Sequence, residues 1–256
     1  MKSKLIILGC GSSLGNPRID GSWGKCKKNN KKNIRTRCSA IIIKGSNHIL
    51  IDTSPDIKNQ LLINNIKNIS SVIYSHEHAD QTNGLFELRP FCWKNNKKIN
   101  IYGDAKTMNY LKTRQSYLFK KTKNYPPIAK INVIKASFSL GDNKDKIFFK
   151  TINLKHGKTS SLVYIFEKTA YISDTDDLSI IKMNQLKNLN YLIIDCLKFK
   201  KHPSHFNLDE SLFVHNNLKP KKTILTNLHQ DLDYDTLLKK LPKNVVPAYD
   251  GLTIKL

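Results

Sequence analysis

Arginine is scarce in this chain. Only five of the 43 basic residues are arginines (Arg18, Arg35, Arg37, Arg89 and Arg114), and acidic residues number 20, so the formal charge of +23 rests on lysine. A basic surface attracts phosphate and speeds encounters with polyanions. Base readout and phosphate clamping favour arginine, however, and here lysine is spread over the whole chain with asparagine similarly abundant, as codon bias in an AT-rich genome would produce. Charge alone therefore leaves nucleic acid open as a partner without selecting it. Paired cysteines are missing too. Cys10, Cys26, Cys38, Cys92 and Cys196 are scattered, odd in number and contain no CxxC, which argues against a disulfide framework or a thiolate zinc knuckle and makes a reducing cytoplasm the default compartment. Long apolar runs are absent as well, so no membrane partner is expected. The opening MKSKLIILGC superficially suggests a lipoprotein signal. Its apolar run, Leu5 to Leu8, is too short for a signal core and reads as a first β-strand.

What remains is a chain of 256 residues with 39% hydrophobic content, enough for one large α/β domain over 1–256. Apolar patterning predicts strands at 4–9, 39–44, 48–52, 71–75, 98–102, 130–135, 146–154, 161–166, 169–173, 191–195, 222–226 and 252–256. Helices are predicted at 55–66, 83–89, 105–119, 178–187, 208–217 and 234–241. Strands gather at both ends of the chain with helices between, which suggests two mixed sheets packed face to face with helices outside. Segments 12–37 and 120–129, rich in Lys, Gly, Asn and Pro, read as long surface loops that could cover a site.

The chemistry collects at strand ends. The strand SVIY delivers SHEHADQ, in which His76, His78 and Asp80 alternate along a short loop and Gln81 follows. INLKHG places His156 after another strand, YISDTDD places Asp174 after a third, and TILTNLHQD places Asn227 and His229 after a fourth. Imidazoles and carboxylates gathered this way suit a hydrolytic metal site, because they hold a divalent ion and leave a position open for water. Asp176 and Asp177 read as solvated residues at a helix start. Trp23 reads as a loop anchor, with a lid over substrate as the other reading.

The sequence resembles the metallo-β-lactamase fold superfamily of hydrolases, whose HxHxDH signature corresponds to His76, His78, Asp80 and Gln81. LGCGSSLG is similar to the family's opening strand and loop, HILIDTSPD to the strand carrying a buried Asp (Asp52), and AYDGLTIKL to its closing strand. Within the superfamily, RCS, GLFELRP, DC followed by HFNLDE, and a late LT before a ligand position are most similar to the phosphoribosyl cyclic phosphodiesterase group. The resemblance implies an α/β fold, a four-layer αβ/βα sandwich of two mixed β-sheets with outer helices. It implies that His76, His78 and His156 hold a first metal, that Asp174 bridges to a second, and that Asp80 with positions 81 and 227 completes the second site. Two of those positions, usually imidazoles, are the amides Gln81 and Asn227. A neutral amide is a poor zinc ligand, so the second site is expected to be weakened as a unit, with His229 as a substitute candidate. One tightly bound divalent ion is expected rather than two, zinc first and manganese second. Asp80 would orient or deprotonate the attacking water, Asp52 would fix the imidazoles from behind, and His205, ahead of His202, would protonate the leaving group. An additional structural zinc known in a relative is not carried over, since only Cys26 remains in that loop.

The expected activity is a metal-dependent phosphodiesterase acting on a small cyclic or nucleotide-like phosphodiester through a metal-activated water. The alternatives are a nuclease related to tRNA 3′-end endonucleases, for which no tRNA-gripping insertion is visible, and a non-catalytic binding protein on a degenerate site. A homodimer is left open.

Overall fold

The computed structural model describes residues 2–123 and 125–256. Two seven-stranded mixed sheets face each other. The first is built from β1 (Ser3–Gly9), β2 (Ser39–Lys44), β3 (Asn47–Ile51), β4 (Ser71–Ile73), β5 (Ile99–Gly103) and β6 (Ala129–Val133). The second contains β7 (Ser137–Leu140), β8 (Ile147–His156), β9 (Thr159–Phe166), β10 (Thr169–Ile172), β11 (Tyr191–Asp195), β12 (Lys222–Thr226) and β13 (Val245–Pro247). The last strand, β14 (Leu252–Lys255), returns to pair antiparallel with β1. The expected architecture of two mixed sheets with outer helices is therefore present.

Alternation along the first strands explains the layering. Leu5 and Ile7 of β1, Ala40 and Ile42 of β2, and Ile49 and Ile51 of β3 join one core with residues of the second sheet, including Phe149, Tyr164 and Ile193. Their neighbours Ile6, Leu8, Ile41 and Leu50 join another core under the outer helices. Side chains alternate faces along a strand, so a sheet buried on both sides reads as a continuous apolar run. Helices α1 (Ile57–Ile63), α3 (Arg89–Asn95) and α4 (Ala105–Arg114) cover the first sheet through Ile57, Leu61, Cys92, Met108 and Leu111. Helix α5 (Leu208–Leu218) packs Leu208, Val214 and Leu218 into the other core, and its N-terminus is closed by a capping box of Asn207 and Glu210. That device satisfies amides that would otherwise lack partners.

Several expected elements differ. Segment 178–187 forms two short 3-10 turns, Leu178–Lys182 and Asn184–Leu186, rather than an α-helix. The consecutive β-branched residues Ile180 and Ile181 lower helical propensity there. The helix expected at 83–89 is a 3-10 turn over Leu85–Leu88, and α3 follows it with Pro90 in its first turn. Proline is tolerated there because its missing N–H would have no helical partner. The short strands β7 and β13 and the four-residue helix α2 (Ala79–Thr82) were not anticipated.

Topology then assembles the functional end. Strands β10, β11 and β12 are mutually parallel, and β4 is parallel to β3 and β5. Their C-terminal ends deliver Asp174, Asp195, Asn227 and the His76–His78 loop to one edge of the sandwich. Ends of parallel strands are where open α/β sheets place ligands.

Candidate metal centre and active site

Three imidazoles converge on one point. His78 Nδ1 lies 3.0 Å from His76 Nε2 and 3.3 Å from His156 Nε2. His156 donates its Nδ1–H to the Ser204 carbonyl at 2.7 Å, so its Nε2 presents a lone pair. A single Nδ1–H on His78 could not answer both neighbouring nitrogens, whereas a cation among them would be met by three lone pairs. Burial pushes His76 down to about 3 and His78 below the usual imidazole range, which keeps both rings neutral as ligands must be. The donor set therefore fits a divalent metal ion, and the three nitrogens fall within ligating reach of one another.

Asp174 lies beside this triangle. Burial works against its charge, but His76, His205 and His156 outweigh it and hold the carboxyl below the usual range. The two amides meet here. Gln81 directs Nε2 to Asp174 Oδ2 at 3.4 Å and to Asp80 Oδ2 at 3.3 Å. Asn227 donates Nδ2–H to Asp174 Oδ1 at 3.1 Å and to Asp195 Oδ1 at 3.2 Å. An ionised carboxylate only accepts hydrogen bonds, so both amides turn their nitrogens inward. Asp174 is thus clasped by N–H groups on both oxygens, in the half of the site where a second cation would compete for them. Gln81 Oε1 is left buried without a partner among the described residues.

His205 forms a second arrangement. Its Nδ1 donates to Asp195 Oδ2 at 2.8 Å, with Asp174 Oδ1 at 3.6 Å. Burial opposes the imidazolium, but Asp195 outweighs it and His205 is pushed up to about 9. Burial pushes Asp195 up to about 6, with His205 pulling it back. Both directions leave an ionised pair at neutral pH. His205 also falls within ligating reach of His156 and Asp174, but its Nδ1–H is committed to Asp195, which leaves Nε2 as the nitrogen able to give up a proton. Asp80 is pushed up by burial and then by the neighbouring Asp174 charge.

Other expected residues fall into place less directly. Asp52, at φ 59°, accepts Ser75 N–H and O–H at 2.7 and 2.9 Å, and the Ser75 hydroxyl meets His76 Nδ1 at 2.9 Å. Its hold on the imidazole passes through Ser75. His229 is turned to Arg18, with Nε2 at 2.7 Å from the guanidinium, and its Nδ1 is 3.2 Å from Asp231. It makes no hydrogen bond or ion pair with Asp80 or Asp174 among the described residues. His202 stays at the rim, its ring 5.2 Å from that of His205. Asp177 caps Ser179 N–H, while Asp176 accepts Gly157 N–H at 2.8 Å and pairs with Lys155. Trp23 stands in a turn closed by Cys26 N–H on its carbonyl.

Three residues escaped sequence reasoning: Asp195, Arg18 and Lys198. Asp195 carried the visible signal, a carboxylate ending the apolar strand YLIID. The site opens into a cavity of about 360 Å³ whose rim includes Ser12, Arg18, Lys198, His202, His205 and His229. A cleft of about 420 Å³ elsewhere, lined by Asn47, Asn68, Lys97 and Asp145, contains no imidazole. Chemistry rather than size selects the smaller cavity.

The fold and this edge of converging ligands define a protein of the metallo-β-lactamase architecture, and comparison with known proteins agrees. The β-lactamase superfamily domain matches residues 47–227, and the chain belongs to that family. A crystal structure described as a new diphosphatase from the PhnP family superposes with a TM-score of 0.90 at 29% identity, covering 100% of this chain and 98% of that one. The metallo-β-lactamase fold protein YhfI from Bacillus subtilis gives 0.74 at 16% identity, covering 100% and 99%. Among curated proteins, one named octanoyltransferase from Porphyromonas gingivalis is 29% identical over 97% of this chain and 51% of its own length. The chain thus spans about half the length of that relative.

Proposed function

We propose that residues 1–256 form a metal-dependent hydrolase domain, a phosphodiesterase that cleaves a small cyclic or nucleotide-like phosphodiester. The observation that carries this reading is the placement of His205, held through Nδ1 by Asp195, beside Asp174 and the converging imidazoles of His76, His78 and His156 at the mouth of one cavity. His76, His78, His156 and Asp174 would hold one divalent ion, zinc or manganese. When bound, that ion supplies a Lewis acid that polarises a phosphoryl oxygen and lowers the pKa of a water. The protein's own groups do the rest. Asp80, with a carboxyl raised by burial, orients the attacking water and takes its proton. His205 gives the Nε2 proton to the departing oxygen, and Asp195 fixes its ring and keeps it charged. Arg18 and Lys198 at the rim oppose the anionic charge of the substrate. The amide clasp on Asp174 leaves the second metal position weak, so one ion is held tightly. Five buried free thiols support a reducing compartment, the cytoplasm, and no described helix is long and apolar enough to cross a membrane.

A metal analysis of purified protein combined with a screen of phosphodiesters tests the proposal. Cleavage of a cyclic or nucleotide-like diester that vanishes in His76→Ala is the expected result. Full retention of activity by that variant would overturn it.

A further inference from the structure

The scarce arginines are not scattered at random. Arg35 is buried, Arg37 pairs with Asp56, and Arg18 faces His229. The other two lie on aromatic rings. The Arg89 guanidinium stands 4.6 Å from the Phe86 ring, 5.8 Å from Trp93 and 5.6 Å from Tyr125. Arg114 lies 5.9 Å from the Tyr110 ring. Among the described residues neither has a carboxylate partner. Phe86, Trp93, Tyr117 and Tyr125 are also 43–58% exposed, an unusual outlay of aromatic surface for a solvated face. Between Leu85 and Pro127 ten lysines and arginines stand against two carboxylates, Glu87 and Asp104, and of the ten Lys106 is paired with Glu77 from outside the segment. Asp104 is occupied as the cap of α4, accepting Thr107 N–H.

Two occupants could cover such a face. A second copy joined through a two-fold axis would set this basic patch, with Arg89, Lys94 and the lysines at 120, 121 and 123, against the same basic patch, and like charges facing each other across an interface are costly. A polyanion that also offers flat aromatic faces meets both features at once. We infer that this surface binds single-stranded nucleic acid, with bases stacked on Trp93, Tyr125 and Phe86 and phosphates met by Arg89, Arg114 and the surrounding lysines. Ring faces accept any base, and cationic side chains track the backbone. The surface adjoins the candidate active site, because Gln115 donates to the Thr82 carbonyl at 3.3 Å at the end of the helix that carries Asp80 and Gln81. It goes beyond the proposed hydrolysis and does not depend on it.

The test is fluorescence anisotropy of a labelled oligouridylate of about twelve nucleotides, which reads binding whatever the chemistry of the metal site. Binding should weaken steeply between about 50 and about 200 mM salt. Trp93→Ala and Tyr125→Ala should each weaken it by roughly fivefold or more, while Trp93→Phe, which keeps a ring, and Lys239→Ala, away from the patch, should leave it within about twofold. Absence of binding at low salt, equal affinity of Trp93→Ala and the parent, or equally tight binding of duplex would overturn the inference. A concentration-dependent dimer in sedimentation that Trp93→Ala dissociates would overturn it too, by assigning the face to a second copy.

Discussion

Converting Gln81→His and Asn227→His together should open a second zinc site, and the cost and gain can be worked from the clasp on Asp174. The change removes four N–H contacts to carboxylates, from Gln81 at 3.3 and 3.4 Å and from Asn227 at 3.1 and 3.2 Å. Hydrogen bonds to charged groups are worth about 1.5–3 kcal/mol at good geometry. These are long, so about 1 kcal/mol each is the appropriate scale, and the double variant with only the first site filled should lose roughly 3–4 kcal/mol. Position 227 has φ 60°, which histidine tolerates better than most residues, so backbone strain adds little. A second zinc at about a hundredfold excess over its dissociation constant returns about 2.7 kcal/mol. For a chain of this size that is a recovery of roughly 5–10 °C in melting temperature on going from one equivalent of zinc to excess. Thermal denaturation reads the recovery, and calorimetric titration counts the second equivalent. Either single variant should show little, because one new imidazole leaves the other amide still holding Asp174. If the double variant melts low and takes up no second ion, position 227 does not face the metal and the reasoning fails.

The unaltered protein, purified without added metal, should carry close to one tightly held ion per chain by elemental analysis, and His76→Ala should lose it; two ions of equal affinity would contradict the clasp. His205→Ala should slow an alkyl or ribosyl phosphodiester by about a hundredfold while leaving a p-nitrophenyl diester nearly untouched, since that leaving group departs without a proton; equal losses would assign His205 to metal or phosphate binding. His205 is raised to about 9, so its donor proton is present at neutral pH and lost as pH rises through about 9. The alkyl-substrate rate should fall over that window, and Asp195→Asn should move the fall toward the ordinary imidazole range by removing the anion that holds the proton. Arg35→Met should destabilise by about 3 kcal/mol in a urea titration, roughly 1 kcal/mol for each buried acceptor left without a donor, because the buried guanidinium donates to the Leu232 and His229 carbonyls and to Asn33 Oδ1 at 2.7, 3.3 and 3.1 Å.

How much of this was legible in the sequence depends on the range over which each signal acts. Long apolar strands declared themselves, because β1, β2 and β3 are buried on both faces and read as unbroken hydrophobic runs. Two short elements did not: β7 alternates serine with Phe138 and Leu140 over only four residues, and β13 is three residues ending in Pro247, a residue that argues against a strand from sequence. The β9–β10 hairpin was found through its strands alone, since its two-residue turn is Glu167–Lys168, both at positive φ, with no Asn or Gly to announce it. Glu167 instead pairs with Lys44 of β2, a tertiary contact no local rule could supply. The candidate site divides in the same way. His76, His78 and Asp80 were visible because ligands closely spaced in one loop have little other explanation, whereas Asp195 owes its importance to His205, a partner ten residues on that reaches it only after the intervening loop folds. The amides are the instructive case. Their identity in the sequence shows what is missing, two imidazoles, but the structure shows what is present, N–H donors on both oxygens of Asp174. A substitution that merely deleted a ligand would leave a buried carboxylate uncompensated, and burial alone pushes such a group toward its neutral form. Amides at 81 and 227 supply hydrogen-bond partners in place of a cation, while His76, His205 and His156 hold Asp174 ionised. On the reading proposed above, the change at these two positions exchanges a second cation for hydrogen-bond donors, and the count of bound ions in the parent and the double variant decides it.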